Sequence, residues 1–308
     1  MNLQHLIHQY LGHRETLGWR PRSNGGHLGG FGRFLGADID IADVRSEQVA
    51  AFLLGAGPIT LSWRHKYSAL RSFYRWAMDR GYVDRSPLPE IVPKLPAAFV
   101  PYIFSRDELR RILQAFDGVC RPGSLLESIT AKTIVLTLYG AGLRRQEAIN
   151  LNGADVDWSD SLLTIRHTKF LKTRLVPFGP QLGRALTAYW RTRHQNVEGS
   201  FFTTRTGGRI DPQMIQKYFR RACIRANVRR NDSLRFQPRL HDLRHTFAIH
   251  RLTSWYEQGA NVQQLLPHLS TYLGHVCIRH TQAYLTMTPA LLHEACHLFE
   301  QYAEGGAP

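Results

Sequence analysis

The sequence predicts a mainly α-helical chain of two domains, with one small β-sheet in the second. Three observations carry this expectation. Apolar and aromatic residues recur at three-to-four spacing through long stretches of the 308 residues. Five prolines crowd between Ser86 and Pro101, where they oppose a continuous helix and favour extended backbone. From Leu162 to Phe178 the period changes to that of short strands. A chain of 308 residues is long enough for two domains that each bury a core.

The first part reads as helices joined by polar turns, and its clearest helix runs from Leu61 to Arg80. There Trp63, Tyr67, Leu70, Tyr74 and Ala77 share one face, and Arg64, Arg71 and Arg75 lie away from it. Such a helix packs inward through its aromatics and offers cations outward. The stretch 88–103 reads as a linker, so the expected domains are 1–87 and 104–308.

The second part opens at Ser105, whose hydroxyl stands three residues before Glu108 at capping-box spacing. Leu109, Ile112, Leu113 and Phe116 form the apolar stripe of the helix that follows. Ile129 to Leu138 reads as a buried helix ending around Gly140 to Gly142. Leu162 to Arg166 and Arg174 to Phe178 are strand candidates in a hairpin or three-stranded sheet. Beyond Gln181 helical signals return, interrupted by turns at Gly207-Gly208 and Asn231-Asp232. Near the end, Leu291, Ala295, Leu298 and Tyr302 can line one side of a C-terminal helix.

Charge narrows the partner. The chain carries 39 Lys and Arg against 24 Asp and Glu, a formal charge of +15, which favours a polyanion: nucleic acid or an acidic membrane surface. Residues 101 to 308 supply most of the excess, with 27 basic against 16 acidic side chains. Lys217 to Arg251 holds ten basic residues and only Asp232 and Asp242 as acids, which reads as a cationic face or groove. The four cysteines form no CxxC pair, opposing a disulfide-dense scaffold or a four-cysteine zinc site. No basic-then-apolar leader opens the chain and no run reaches 18 apolar residues, so a cytoplasmic, membrane-free protein is expected.

Four stretches stand out chemically. YGAGLRRQEAINL, Tyr139 to Leu151, puts glycines before Arg144 and Glu147, which face each other at a spacing of three; alone, they read as a surface ion pair. LHDLRHTFA, Leu240 to Ala248, puts His241 and Arg244 on one face by the same spacing. Leu273-Gly274-His275 follows a turn, and Tyr284 lies nine residues farther on. His275, Cys277 and His280, and again His293, Cys296 and His297, miss any recognisable zinc spacing, so no metal site is expected.

In this order the stretches resemble the tyrosine recombinase, or phage-integrase, family. Gly142-Leu143-Arg144 with Glu147 matches the family's first arginine motif, Lys169 in KFLKTRLVPF (Lys169 to Phe178) its hairpin lysine, His241-Asp242-Leu243-Arg244-His245 its HxxR motif, Leu273 to His275 its LGH motif and Tyr284 its nucleophile. The likeness spans most of 104 to 290. It implies a two-domain, DNA-clamping architecture in which residues 1–87 form a helical core-binding domain and 104–308 the catalytic domain with a C-terminal interaction helix. It also implies site-specific DNA recombination through a covalent 3′-phosphotyrosine, in integration, transposition or resolution. Tyr284 attacks; Arg144 and Arg244 stabilise charge on the phosphate; Lys169, with Lys172 ranked second, protonates the leaving 5′-oxygen. His241 helps activate the tyrosine or accepts its proton, His275 binds a phosphate oxygen, and Glu147 supports Arg144.

The partners implied are double-stranded DNA with inverted half-sites, a homodimer on one site, a tetramer in synapsis and, in some relatives, a partner recombinase. The implied setting is cytoplasmic and nucleoid-associated, and no cofactor is called for. Two other readings use the same residues, a type IB-like topoisomerase and a noncatalytic DNA-binding protein.

Overall fold

A computed structural model describes residues 1–18, 22–36, 38–94, 100–166, 173–193, 198–232 and 236–286. The expected C-terminal helix, with His293, Cys296 and His297, lies outside these residues, as do Lys169 and Lys172. The chain divides into two compact units, Met1–Phe99 and Val100–Pro308. Among the described residues no helix is long and apolar enough to cross a membrane.

Among its described residues the first unit holds four α-helices, α1 (Leu3–Thr16), α2 (Arg22–Leu35), α3 (Ser46–Leu54) and α4 (Leu61–Asp79). Trp63, Leu70, Tyr74 and Ala77 of α4 are buried and Tyr67 packs against the same core, while Arg64, Arg71 and Arg75 are exposed. Phe73 and Trp76 join them, each ring against Tyr10 of α1. The aromatics of α4 are therefore core residues; burying each side chain contributes roughly 1.5–3 kcal/mol. Leu88 packs on this core and Tyr67 Oη donates to the Pro89 carbonyl, so the start of the proline-rich stretch is built into the first unit.

The second unit begins with the expected capping box at Ser105 and Glu108, which starts α5 (Arg106–Val119). Then come α6 (Ser128–Gly140), α7 (Arg145–Ile149) and a sheet of β1 (Val156–Asp157), β2 (Leu162–Ile165) and β3 (Arg174–Pro177). The sheet is antiparallel in the order β1-β2-β3, with Ile165 opposite Arg174 at its open end. The remaining helices are α8 (Pro180–Arg191), α9 (Pro212–Arg225), α10 (Asp242–Glu257), α11 (Val262–Leu273) and α12 (Arg279–Gln282). α5 packs on α9, and α6 lies against both α8 and α10. Phe104, Phe116, Phe201, Phe202 and Phe219 fill the main core.

The run Lys217 to Arg251 does not form one cationic face. Lys217, Arg220, Arg221 and Arg225 are exposed on α9, but Arg230 and Arg244 are buried. Arg230 spends its guanidinium on the carbonyls of Val100 and Pro101, at 2.9 and 3.1 Å, and pairs with Asp232. A buried guanidinium must satisfy its donors with fixed oxygens. The end of the proline-rich stretch thereby becomes part of the second unit.

Candidate active site

The two glycines of the arginine and LGH motifs bring α10, α11 and the α7 turn together. Gly142 has φ +57°, and a Cβ there would lie 2.5 Å from Phe247 Cδ1 on α10. Only glycine allows this backbone to lie so close to α10. Its carbonyl accepts a 2.7 Å bond from Arg244 Nη1, and Arg244 Nη2 donates to the Leu273 carbonyl at 2.6 Å. Gly274 ends α11 in the left-handed conformation, φ +68°, and its bare Cα face lets Arg174 approach.

Arg144 is the N-cap of α7, and Glu147 is the third residue within that helix. The Arg144 N–H donates to Glu147 Oε2 at 2.9 Å and its Nη1 to Oε1 at 2.7 Å, while Nη2 donates to the Gly274 carbonyl at 2.9 Å. The pair is no surface ion pair. The Glu147 side chain is only 8% exposed and receives both terminal nitrogens of Arg174, at 3.0 and 2.8 Å; Arg174 Nε donates to the Tyr272 carbonyl. Burial alone would raise the Glu147 carboxyl, but the Arg174 hydrogen bonds and charge, with help from Arg144, outweigh it and hold the pKa at about 2.

Tyr284, in the single turn Ala283–Thr286, is 2% exposed. Burial pushes its hydroxyl pKa up; the Arg244 charge, an Arg244 hydrogen bond and the Arg144 charge pull the other way. The phenol is thus neutral at physiological pH but lies against guanidinium groups. Its ring stacks on His275, centroids 6.1 Å apart at 26°, and meets His245 edge-to-face at 5.6 Å. His275 Nδ1 bonds Thr281 Oγ1 at 2.8 Å, which fixes the imidazole. Burial, followed by the charges of Arg244 and Arg144, pushes His275 down to about 3.

His241 is the exposed N-cap residue of α10, and burial followed by the Arg244 charge lowers its pKa. It does not meet Tyr284 through a ring contact of its own: His245 lies edge-to-face with His241 at 5.0 Å and in turn touches the tyrosine. Arg244, 2% exposed, is lowered to about 10 by burial and by Arg144, and it remains charged. Arg144, Glu147, His241, Arg244, His275 and Tyr284 therefore converge; Lys169 lies outside the described residues.

Arg174 and His245 are the site residues that sequence reading passed over. Arg174 was visible as the arginine of KFLKTRLVPF, but its partner is 27 residues away and no local spacing links them. His245 stood beside Arg244 in the same motif, one helical turn past His241. Among the described residues no group of three or more His, Cys, Asp or Glu is arranged to hold a metal ion.

A buried tyrosine under the charge of two arginines, with imidazoles around its ring, offers the groups that nucleophilic phosphoryl transfer needs. Residues 103–290 match the model of the phage integrase family. A putative integrase/recombinase, y4rB, of Sinorhizobium fredii is 34% identical over 304 residues, covering 96% of both chains. In fold, the chain is similar to the Tn1549 transposon integrase in complex with a circular intermediate DNA, with TM-score 0.73, 15% identity and 98% and 99% of the two chains covered. It is also similar to a lambda integrase tetramer bound to a Holliday junction, with TM-score 0.65, 16% identity and 92% and 77% covered. The chain belongs to the phage integrase family of tyrosine recombinases, the enzymes of site-specific DNA recombination.

Proposed function

We propose that this chain cleaves and rejoins double-stranded DNA at inverted half-sites, with Tyr284 as the nucleophile. The observation that carries the reading is the buried Tyr284, its ring stacked on His275 and meeting His245, beside the buried Arg244 whose charge acts on its hydroxyl. Tyr284 Oη bonds to the scissile phosphorus as the bond to the 5′-oxygen breaks, leaving a 3′-phosphotyrosine that preserves the phosphodiester's energy. The tyrosine's proton passes to His241, directly or across the imidazole contact with His245. Lys169 supplies the proton for the 5′-oxygen. The freed 5′-hydroxyl then attacks the phosphotyrosine of a partner strand and the bond changes run in reverse. None of these changes calls for a metal or an organic cofactor.

Charge on the nonbridging oxygens grows as phosphorus becomes five-coordinate, and Arg144 and Arg244 answer it. Each terminal nitrogen of Arg244 has a second N–H beyond the one given to a backbone carbonyl, so the fork is fixed by the fold and still has donors for phosphate. His275, with Nδ1 committed to Thr281, serves a phosphate oxygen through Nε2. Glu147 supports Arg144.

The domains follow the same division of labour: 1–87 binds DNA, 88–103 links, and 104–308 carries the chemistry. Two copies occupy one site and four form the synapse, with or without a partner recombinase, on the DNA of a cytoplasmic nucleoid. Integration, transposition and resolution all use this exchange.

A nicked suicide substrate tests the reading. Wild-type protein should form a covalent adduct that survives denaturing electrophoresis, and Tyr284→Phe should form none while still shifting the DNA in a native gel. An adduct in the variant would remove Tyr284 from the role. Relaxation of supercoiled DNA without exchange between paired sites would mark a topoisomerase instead.

A further inference from the structure

Each end of the chain that carries Lys169 is held by an arginine on a buried carboxylate. At the end of β2, Arg166 Nε donates to Asp155 Oδ1 at 2.6 Å. Asp155 is 5% exposed, and its Oδ2 accepts the Asn152 N–H at 2.9 Å, so the carboxylate is locked into its own turn. At the start of β3, Arg174 takes both oxygens of Glu147. Ile165 pairs with Arg174 across the sheet, so the two anchors flank the same open end. Both carboxylates sit in the stretch that begins with Arg144, and a cavity of about 430 Å³ lined by Arg144, Glu147, Asn152, Asp155 and Arg166 lies between them.

We propose that Asp155 is a positioning residue for leaving-group protonation: through Arg166 it fixes one end of the lysine segment relative to Arg144, as Glu147 fixes the other through Arg174. This rests on the reading of Lys169 as the acid. The physical reason for two anchors is geometric. A proton must be delivered within hydrogen-bonding distance of one oxygen while Arg144 holds the phosphate, and ties at Arg166 and Arg174 place both residues that flank the lysine stretch on the arginine's own framework. The Asp155 carboxylate has no part in binding the phosphate, which it would repel.

A substrate that needs no proton separates this role from a structural one. Replacing the scissile 5′-oxygen by sulfur gives a leaving thiolate, whose conjugate thiol has a pKa of about 8.5, so it departs without an acid. Single-turnover cleavage of oxygen and sulfur suicide substrates is compared for wild type, Lys169→Ala, Asp155→Asn and Arg166→Gln, the last altering only the half-exposed partner. The expected pattern is a loss of about a hundredfold for Lys169→Ala and about tenfold or more for the other two on oxygen, with rates near wild type for all on sulfur.

If Lys169→Ala is not restored by sulfur, the acid assignment itself fails. If it is restored and Asp155→Asn and Arg166→Gln are slow on both substrates, their role is structural and the positioning proposal fails. Wild-type rates on oxygen for both anchor variants would overturn it equally. Should Asp155→Asn fold poorly, Arg166→Gln decides alone.

Discussion

Arg244 donates to the carbonyl of Gly142, 102 residues earlier in the chain, at 2.7 Å. The arginine is positioned by backbone that no other residue type at 142 would allow, because φ is +57° and a Cβ would lie 2.5 Å from a ring carbon of Phe247. Gly142→Ala should destabilise the fold by about 2–4 kcal/mol, from left-handed strain and overpacking together. Chemical denaturation measures the loss. Cleavage should fall further than the unfolded fraction explains, since the displaced carbonyl releases the guanidinium.

Among the described residues Glu147 is the single carboxylate paired with Arg144 and Arg174, with Arg244 4.0 Å away. Glu147→Gln keeps the shape but faces amide hydrogens and cations with no charge to meet them. Breaking a buried pair in this way costs about 3–5 kcal/mol. Urea titration should show that loss, and single-turnover cleavage should slow because Arg144 loses its tie to α7. Unchanged stability would mean that the guanidinium groups are satisfied without the carboxylate.

How much of this was legible depended on distance along the chain. Ser105 with Glu108, Trp63 with Leu70 and Tyr74, and the two strands around 162 and 174 are local patterns, and each appears within a residue or two of where spacing puts it. Arg144 and Glu147 were legible as a pair because they are three apart. The reason that pair is buried was not, because it is Arg174, brought in by β3. The charge count over Lys217 to Arg251 likewise could not tell the exposed arginines of α9 from Arg230 and Arg244, whose forks are bound to backbone oxygens of distant segments. Sequence spacing reports neighbours on one element; partners across elements are set by packing.

The two imidazoles around Tyr284 give the protein a stability that depends on pH. His245 is pushed down to about 3 by burial and then by His241 and Arg244, and His275 to about 3 by burial and then by Arg244 and Arg144. In the unfolded chain both titrate near about 6.5. As pH falls below that value the unfolded chain takes up protons that the folded chain refuses, so stability present above about 6.5 is lost progressively toward 3. Glu147 acts in a separate window: its pKa of about 2, against 4.5 as the ordinary value, gives stability that holds above 4.5 and is lost as pH falls through 2. The melting temperature should therefore drop by several degrees between pH 7 and pH 5, before any carboxylate contributes. His245→Gln should flatten that slope, because it removes one of the groups that must stay neutral. A wild-type melting temperature constant across pH 7 to 5 would mean that the imidazoles beside Tyr284 accept protons in the folded protein, and the ring packing around the nucleophile would have to be looser than described.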